Sequence, residues 1–383
     1  MIQDKRFLFE SVIHQFAIYG ELEGVQAFGS GHINDTYRSV WNQAGTQARY
    51  THQRINDQVF AKPDEVMENI QRVTHHIAGK LIRSGAADRS RRVLTIIPSR
   101  DGKLWARDID GGWWRTYLFI EKSHTLEFAT SPGQARFLGK SIAAFQRQLA
   151  DLGGNRLHES IPGFHDIEKR YLHFYDALSK NCRNRAKDVQ PEIAFMKKNE
   201  ERGAVLIQAL KNGSIPERIC HNDTKINNIL IDNESSQALC VIDLDTVMPG
   251  TSLFDAGDLI RTVAAAAAED EQDLSKVEFD LTFFEALLDG YLSEAVKFLE
   301  ASELALLCES GRSITHIMAL RFLTDYLEGD RYYSIARPDH NLDRCRTQIA
   351  LINSMDEKWE KALELTTTLC MKAQLRAGET TRL

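Results

Sequence analysis

The sequence predicts an α+β fold: a small lobe built on an antiparallel sheet, then a large helical lobe. Three observations carry this. The first third alternates short β-rich runs with turns, the texture changes after Glu121, and from there helical patterns dominate with two short strands among them. At 383 residues the chain also exceeds one ordinary small core. The expected division is a first lobe over 1–120, a connection over 121–126 and a helical lobe over 127–383.

In the first lobe, "VQAF" (25–28) and "TYRSVW" (36–41) read as strands flanking "GSGHIND", and "RYTHQRI" (49–55) follows the turn "NQAGTQ". Pro63 and Asp64 open a helix in which Val66, Ile70, Val73, Ile77 and Leu81 repeat at helical spacing. "VLTIIP", "KLWAR" and "WWRTYLFI" read as three more strands, separated by the hairpin signals "SRDG" and "IDGG". Beyond Glu121, "SPGQARFLGKSIAAFQRQL" begins with a Ser-Pro helix entry and carries Leu138, Ile142, Phe145 and Leu149 on one face. "YLHFYDALSK", "EIAFMKKNEERGAVLIQALK" and most of the chain past Asp255 continue the helices, interrupted by the strands "NILI" (228–231) and "ALCVI" (238–242).

Composition narrows the class. A hydrophobic content of 43% and a charged content of 26% are those of a soluble globular protein. A net charge of -7 argues against a nucleic-acid partner. The six cysteines show no CxxC spacing, which points to reduced thiols in a cytoplasmic protein rather than a disulfide framework or zinc site. "MIQDKRFLFESVIHQF" has no uninterrupted apolar core, so no signal peptide is expected, and no apolar run is long enough to span a bilayer.

The chemistry concentrates in "ICHNDTKINNILID" (219–232) and in "VIDLDT" at the end of the next strand. From Asp223, Lys225 lies two residues on and Asn228 five, and Asp243 follows after the hairpin. Phosphoryl transfer needs such a set: a carboxylate beside the acceptor hydroxyl, a cation for the moving phosphate, and oxygen ligands for magnesium. The pattern His221-x-Asp223-x-Lys225-x-x-Asn228, then Ile242-Asp243, resembles the catalytic loop and metal aspartate of the protein-kinase-like fold. That resemblance implies Asp223 as catalytic base, Lys225 on the transferring phosphate, and magnesium held by Asn228 and Asp243. Asp245 either adds a metal contact or caps the next loop. His221 reads as a brace for the loop.

Two departures from protein kinases point to a small-molecule kinase. Asn222 stands where their arginine precedes the catalytic aspartate, and "TVMPGTSL" leaves no room for a long activation loop. "GSGHINDTY", "QRIN", "HNDTKINNIL", "DLDTVMPG" and "RFLTDYLEGDRYY" together resemble the N-acetylhexosamine 1-kinase family, within the aminoglycoside phosphotransferase and choline kinase branch. The resemblance implies transfer of the ATP γ-phosphate to the anomeric hydroxyl of an N-acetylhexosamine, with ATP and Mg2+ as cofactors and a small sugar as partner.

For the nucleotide, Gly29, Ser30 and Gly31 form either a phosphate-covering loop or a plain hairpin, with Asn34 where the kinase loop has its third glycine. Arg54 resembles the phosphate-contacting arginine of choline kinases; Gln53, on the opposite face, is the rival. Glu68 is either its ion-pair partner or an exposed helical glutamate. Adenine is expected against Ile120, Glu121 and Lys122. For the acceptor, the resemblance points to His32 and Arg321, with a helix-to-helix salt bridge the competing role for Arg321. Asp35 is a sugar ligand or a turn cap, and Asp255 and Asp258 read as helix-capping and loop-bracing groups. A kinase of another small alcohol, and a nucleotide-binding pseudokinase, are the rival functions.

Overall fold

A computed structural model describes residues 2–29 and 33–380. The chain divides into two compact units: Met1–His124 with Leu152–Pro162 and Ile231–Met248, and Thr125–Asp151 with Gly163–Leu230 and Pro249–Leu383.

The first unit is built on a six-stranded sheet. Its strands are β1 (Glu21–Ala27), β2 (Asp35–Gln43), β3 (Thr46–Arg54), β4 (Ile96–Ile97), β5 (Ala106–Arg107) and β6 (Trp113–Leu118). The order is β1-β2-β3-β6-β4, with β5 also on β6, and the pairs are antiparallel. Alternation sorts its side chains. Ser39, Trp41, Tyr50, His52, Trp114 and Thr116 fill one face, where His52 bridges Ser39 Oγ at 2.7 Å and Thr116 Oγ1 at 2.8 Å.

That face is covered by α1 (Ile2–Ile13), a helix beyond the elements expected from the sequence. Phe9, Val12, Ile13 and Phe16 recur at helical spacing and join Trp41, Tyr50 and Trp114 in one core. The Phe9 ring lies 5.1 Å from His52 and 5.7 Å from Trp114. α2 (Pro63–Arg83) buries Val66, Ile70, Val73 and Ile77 as its periodicity requires. The stretches "VLTIIP" and "KLWAR" supply only the short β4 and β5, and α3 (Arg89–Arg92) precedes them. β7 (Ser123–His124) pairs with residues 231 and 232.

The second unit is helical. α4 (Pro132–Leu149) is capped by Ser131 and buries Leu138, Ile142, Phe145 and Leu149. α5 (Ile167–Lys180) follows. The expected single helix over "EIAFMKKNEERGAVLIQALK" is instead α6 (Gln190–Lys198), α7 (Glu200–Gly203) and α8 (Val205–Lys211). It breaks at Asn199, whose backbone leaves helical angles at φ -106 and ψ 11. β8 (Arg218–Cys220) leads into the loop before β9 (Ile229–Asp232); the chain then returns to the first unit from Ile231, where β9 pairs with β10 (Ala238–Val241), and β11 (Met248–Gly250) follows. The rest is α9 (Ser252–Val263), α10 (Leu281–Ala295), α11 (Ala301–Ala305), α12 (Leu307–Glu328), α13 (His340–Glu357) and α14 (Trp359–Thr380). α12 is buried on every side, the mark of a central helix. No helix among the described residues is long and apolar enough to cross a membrane.

α4 and α10 touch backbone to backbone through glycines. A Cβ on Gly290 would lie 1.8 Å from the Arg136 carbonyl oxygen, and one on Gly139 2.2 Å from that of Leu287. Alanine raises intrinsic helix propensity by about 1 kcal/mol, but overpacking costs about 1–3 kcal/mol. Gly290→Ala is therefore expected to lower the urea midpoint of unfolding. A raised midpoint would show that α10 slides freely along α4.

Candidate active site

The loop from His221 to Asn228 is held by one buried carboxylate. Asp255, on α9, accepts the backbone N–H of His221 at 3.0 Å and of Asn222 at 2.7 Å, and its backbone oxygen accepts the Thr224 hydroxyl at 2.7 Å. Gln146 of α4 donates to Asp255 at 3.0 Å and is itself oriented by the Tyr291 hydroxyl at 2.8 Å. Burial pushes the Asp255 carboxyl above its ordinary range. Asn222 takes the left-handed conformation at φ 65, which asparagine tolerates better than most side chains. His165 Nε2 donates to the Asn222 carbonyl at 3.0 Å; burial and the nearby Arg321 bring its pKa down to about 3, so the ring is neutral.

This bracing presents Asp223. Its carboxylate lies 3.1 Å from Lys225 Nζ, and the Asn228 amide nitrogen donates both to it, at 3.1 Å, and to the Asp223 carbonyl, at 2.8 Å. The Asp223 backbone N–H donates to His221 Nδ1 at 3.3 Å. Burial works to raise the carboxyl pKa, but Lys225, His221 and Asn228 outweigh it and hold it below the ordinary value. With a side chain 31% exposed, Asp223 is an ionised carboxylate open to a ligand. Because the Asn228 nitrogen is committed to Asp223, its oxygen is the end left to ligate.

In the first unit, Asp243 follows β10 with its backbone at φ 60, a left-handed conformation that costs free energy in a non-glycine residue. Asp245, 3% exposed, spends both oxygens on protein: Arg115 of β6 binds one, and Asn34 Nδ2 donates to the other at 2.7 Å. Asn69 of α2 steadies the next turn, donating to the Val247 carbonyl at 3.0 Å.

The structure differs from the sequence expectation at Arg54. In register, Arg54 lies opposite Trp114 and Asp35, on the face covered by α1, and its Nε is bound to Asp108 at 2.8 Å. Gln53 lies on the other face, opposite Arg115, and accepts from Arg115 Nε at 2.9 Å. The cation that shares a face with Asp245 is therefore Arg115. Glu68 is exposed and bonds His158 at 3.1 Å rather than Arg54. At the connection, the carbonyls of Ile120, Glu121 and Lys122 accept from Ser123, Arg91 and Asn233. Gly29 has φ +83, where glycine is favoured; Ser30, Gly31 and His32 lie outside the described residues.

Arg321 of α12 lines a cleft of about 270 Å³ in the second unit. Its guanidinium stacks 4.6 Å from the Phe164 ring and 5.4 Å from that of Tyr333. Among the described residues no carboxylate lies within ion-pair distance of it, so the helix-to-helix salt bridge is absent. Burial opposes its charge, but Tyr333, Tyr332 and Asp223 raise its pKa. Asp325, one turn further along α12, gathers the backbone N–H groups of Arg331 (2.8 Å), Tyr332 (2.8 Å) and Tyr333 (2.9 Å) and the Asn341 amide (2.9 Å). This folds 331–333 around Arg321.

Sequence reasoning missed Arg115, His165 and Asp325. Arg115 did carry a signal: a charge in the middle of an aromatic strand must be paired if it is buried. The donors fit magnesium chemically, since a carboxylate and an amide oxygen are the hard ligands it takes beside phosphate oxygens. No three His, Cys, Asp or Glu gather as a metal cluster among the described residues, which an amide-plus-carboxylate pair does not require.

The chain matches the model of a phosphotransferase enzyme family over residues 24–295. Similar solved structures include a microcompartment-associated aminopropanol kinase, with TM-score 0.55 and 12% identity over 94% of this chain and 98% of that one. A spectinomycin phosphotransferase in complex with ADP and spectinomycin has TM-score 0.51 and 13% identity over 96% and 98%. An ethanolamine kinase from Plasmodium vivax has TM-score 0.52 and 14% identity over 85% and 82%. At these identities the likeness is one of fold, the protein-kinase-like α+β fold.

Two outcomes follow for the loop. Asp223→Asn should keep the thermal unfolding midpoint and nucleotide binding while losing most turnover; near wild-type kcat in that variant would remove Asp223 from the chemistry. Because its pKa is depressed, Asp223 stays ionised as pH falls to the ordinary carboxylate value of about 3.9. The kcat/KM profile should then be flat from about pH 7 to about pH 5, and Lys225→Met should move its acid limb upward. An unmoved limb would show that Lys225 does not set the ionisation.

Proposed function

We propose an acceptor for this chain, which belongs to the phosphotransferase enzyme family and is an ATP-dependent small-molecule phosphotransferase: the anomeric hydroxyl of an N-acetylhexosamine. The observation that carries the reading is the charge of the cleft around Arg321. Arg170, Arg321 and Arg331 line it against Asp325 and Glu328. Both carboxylates are already engaged, Asp325 by four N–H donors and Glu328 by His173 at 2.8 Å. Three arginines against two hydrogen-bonded carboxylates leave an excess of cationic groups that disfavours a cationic acceptor, whereas a neutral sugar meets N–H donors suited to its hydroxyl and carbonyl oxygens. The volume of about 270 Å³ lies just below the roughly 300–1,000 Å³ of small-molecule sites, a scale that suits a ligand as small as a monosaccharide.

In this reading Asp223 accepts a hydrogen bond from the acceptor hydroxyl and orients its oxygen toward the γ-phosphorus. As the new O–P bond forms and the bond to the ADP oxygen breaks, the proton passes to Asp223. A loose transition state delays that transfer, so a weakly basic carboxylate suffices. Lys225 offsets charge on the transferring group. Magnesium, when bound through Asn228 and Asp243, would neutralise phosphate charge. Gly29, Ser30 and Gly31 would cover the phosphates, adenine would rest on 120–122, and His32 and Asp35 would complete the sugar contacts, with the lobes dividing near 121–126.

The test is a coupled assay with ATP over free hexoses, N-acetylhexosamines, aminoglycosides and amino alcohols, with phosphorus NMR of the product. A sugar 1-phosphate is expected; a 6-phosphate, or turnover only with amines, would defeat the reading. A charged hydrogen bond is worth about 1.5–3 kcal/mol. Arg321→Ala should therefore lower kcat/KM for the sugar by about ten-fold to a hundred-fold with little change in KM for ATP. A rise in KM for ATP instead would place Arg321 elsewhere in the reaction.

A further inference from the structure

Arg115 is an unusual residue for the middle of a sheet. It sits on β6, 1% exposed, and its guanidinium is spent on two partners. Nε donates to Gln53 Oε1 at 2.9 Å, and Nη1 binds Asp245. The chain of contacts continues both ways. Gln53 Nε2 donates to Thr36 Oγ1 at 3.2 Å. Asp245 accepts from Asn34 at 2.7 Å, and Asn34 Oδ1 accepts the backbone N–H of Asn56 at 3.0 Å. One network thus ties β2, β3 and β6 to the turn after Asp243 and to Asn34. The turn it reaches is the one in which Asp243 is held at positive φ, a conformation that persists only when its surroundings over-determine it.

We propose that Arg115 is a positioning residue for the metal–nucleotide complex: it fixes Asp245 as a strut, so that Asp243 is the one carboxylate of this motif that meets the metal. This rests on the nucleotide reading above, not on the identity of the sugar. It also accounts for a cost. A buried ion pair often adds little or nothing to stability compared with apolar side chains of similar volume. Stability alone is therefore a weak reason for Arg115 and Asp245, whereas fixing the Asp243 turn requires them.

The same comparison supplies the test. Arg115→Met alone leaves Asp245 buried and unpaired and is expected to fold poorly. Arg115→Met combined with Asp245→Asn removes both charges, keeps an acceptor for Asn34 and should remain folded by thermal unfolding. Binding of Mn2+–ADP is then followed by electron paramagnetic resonance with no acceptor present, so the readout does not depend on turnover. The double variant should bind Mn2+–ADP about ten-fold more weakly or worse, while Arg115→Lys, which keeps the charge, should recover part of the loss. Sugar binding by saturation-transfer NMR should not change. Wild-type Mn2+–ADP affinity in a folded double variant would overturn the proposal and leave Arg115 a structural ion pair. Wild-type protein that binds no Mn2+–ADP would overturn it together with the nucleotide reading. Normal Mn2+–ADP binding without sugar phosphorylation would sink the sugar reading alone and leave this proposal standing.

Discussion

The loop from His221 to Asn228 depends on Asp255. A carboxylate buried away from water is costly unless N–H donors surround it. Here those donors are the peptide groups of His221 and Asn222 and the Gln146 amide. Each side meets the other's need: the loop's backbone donors would be buried without it, and its charge would be buried without them. Everything that gives Asp223 its exposure and its low pKa is arranged on a backbone fixed in this way. Thr224 adds a bond back to the Asp255 carbonyl, so the helix grips the loop at side chain and main chain alike.

The legibility of the fold followed the reach of each signal. Helical stripes with a cap were readable because they are local: Ser131 does cap α4, and the α2 stripe is buried at Val66, Ile70, Val73 and Ile77. α1 carries an equally local signal in Phe9, Val12, Ile13 and Phe16, masked by the charged residues Asp4, Lys5, Arg6 and Glu10 interleaved with it. The strands lost length where pairing, a tertiary property, ended them, as in β4 and β5.

The site shows the same limit. Asp223, Lys225 and Asn228 lie within six residues of each other, so spacing alone groups them, and the structure does bring them into contact. Arg54 and Gln53 are neighbours on opposite faces, and alternation cannot say which face meets Asp245. That depends on β6 lying beside β3 in register with Gln53 opposite Arg115, a fact held by no single segment. The network through Asn34 likewise joins residues 211 positions apart. Asp325 was hidden for another reason: its partners are backbone groups, which any sequence supplies.

That last feature bears on how such an enzyme diversifies. Asp325 holds residues 331–333 by main-chain N–H groups, so these three bonds do not depend on which side chains the loop carries. Tyr333 also packs on Phe322, whereas Arg331 and Tyr332 are the fittings on this mount. Selection could exchange them one at a time, reshaping what the cleft admits, without reopening the question of whether the loop folds. Asp325 itself has no such latitude, because the backbone of 331–333 hangs on its carboxylate.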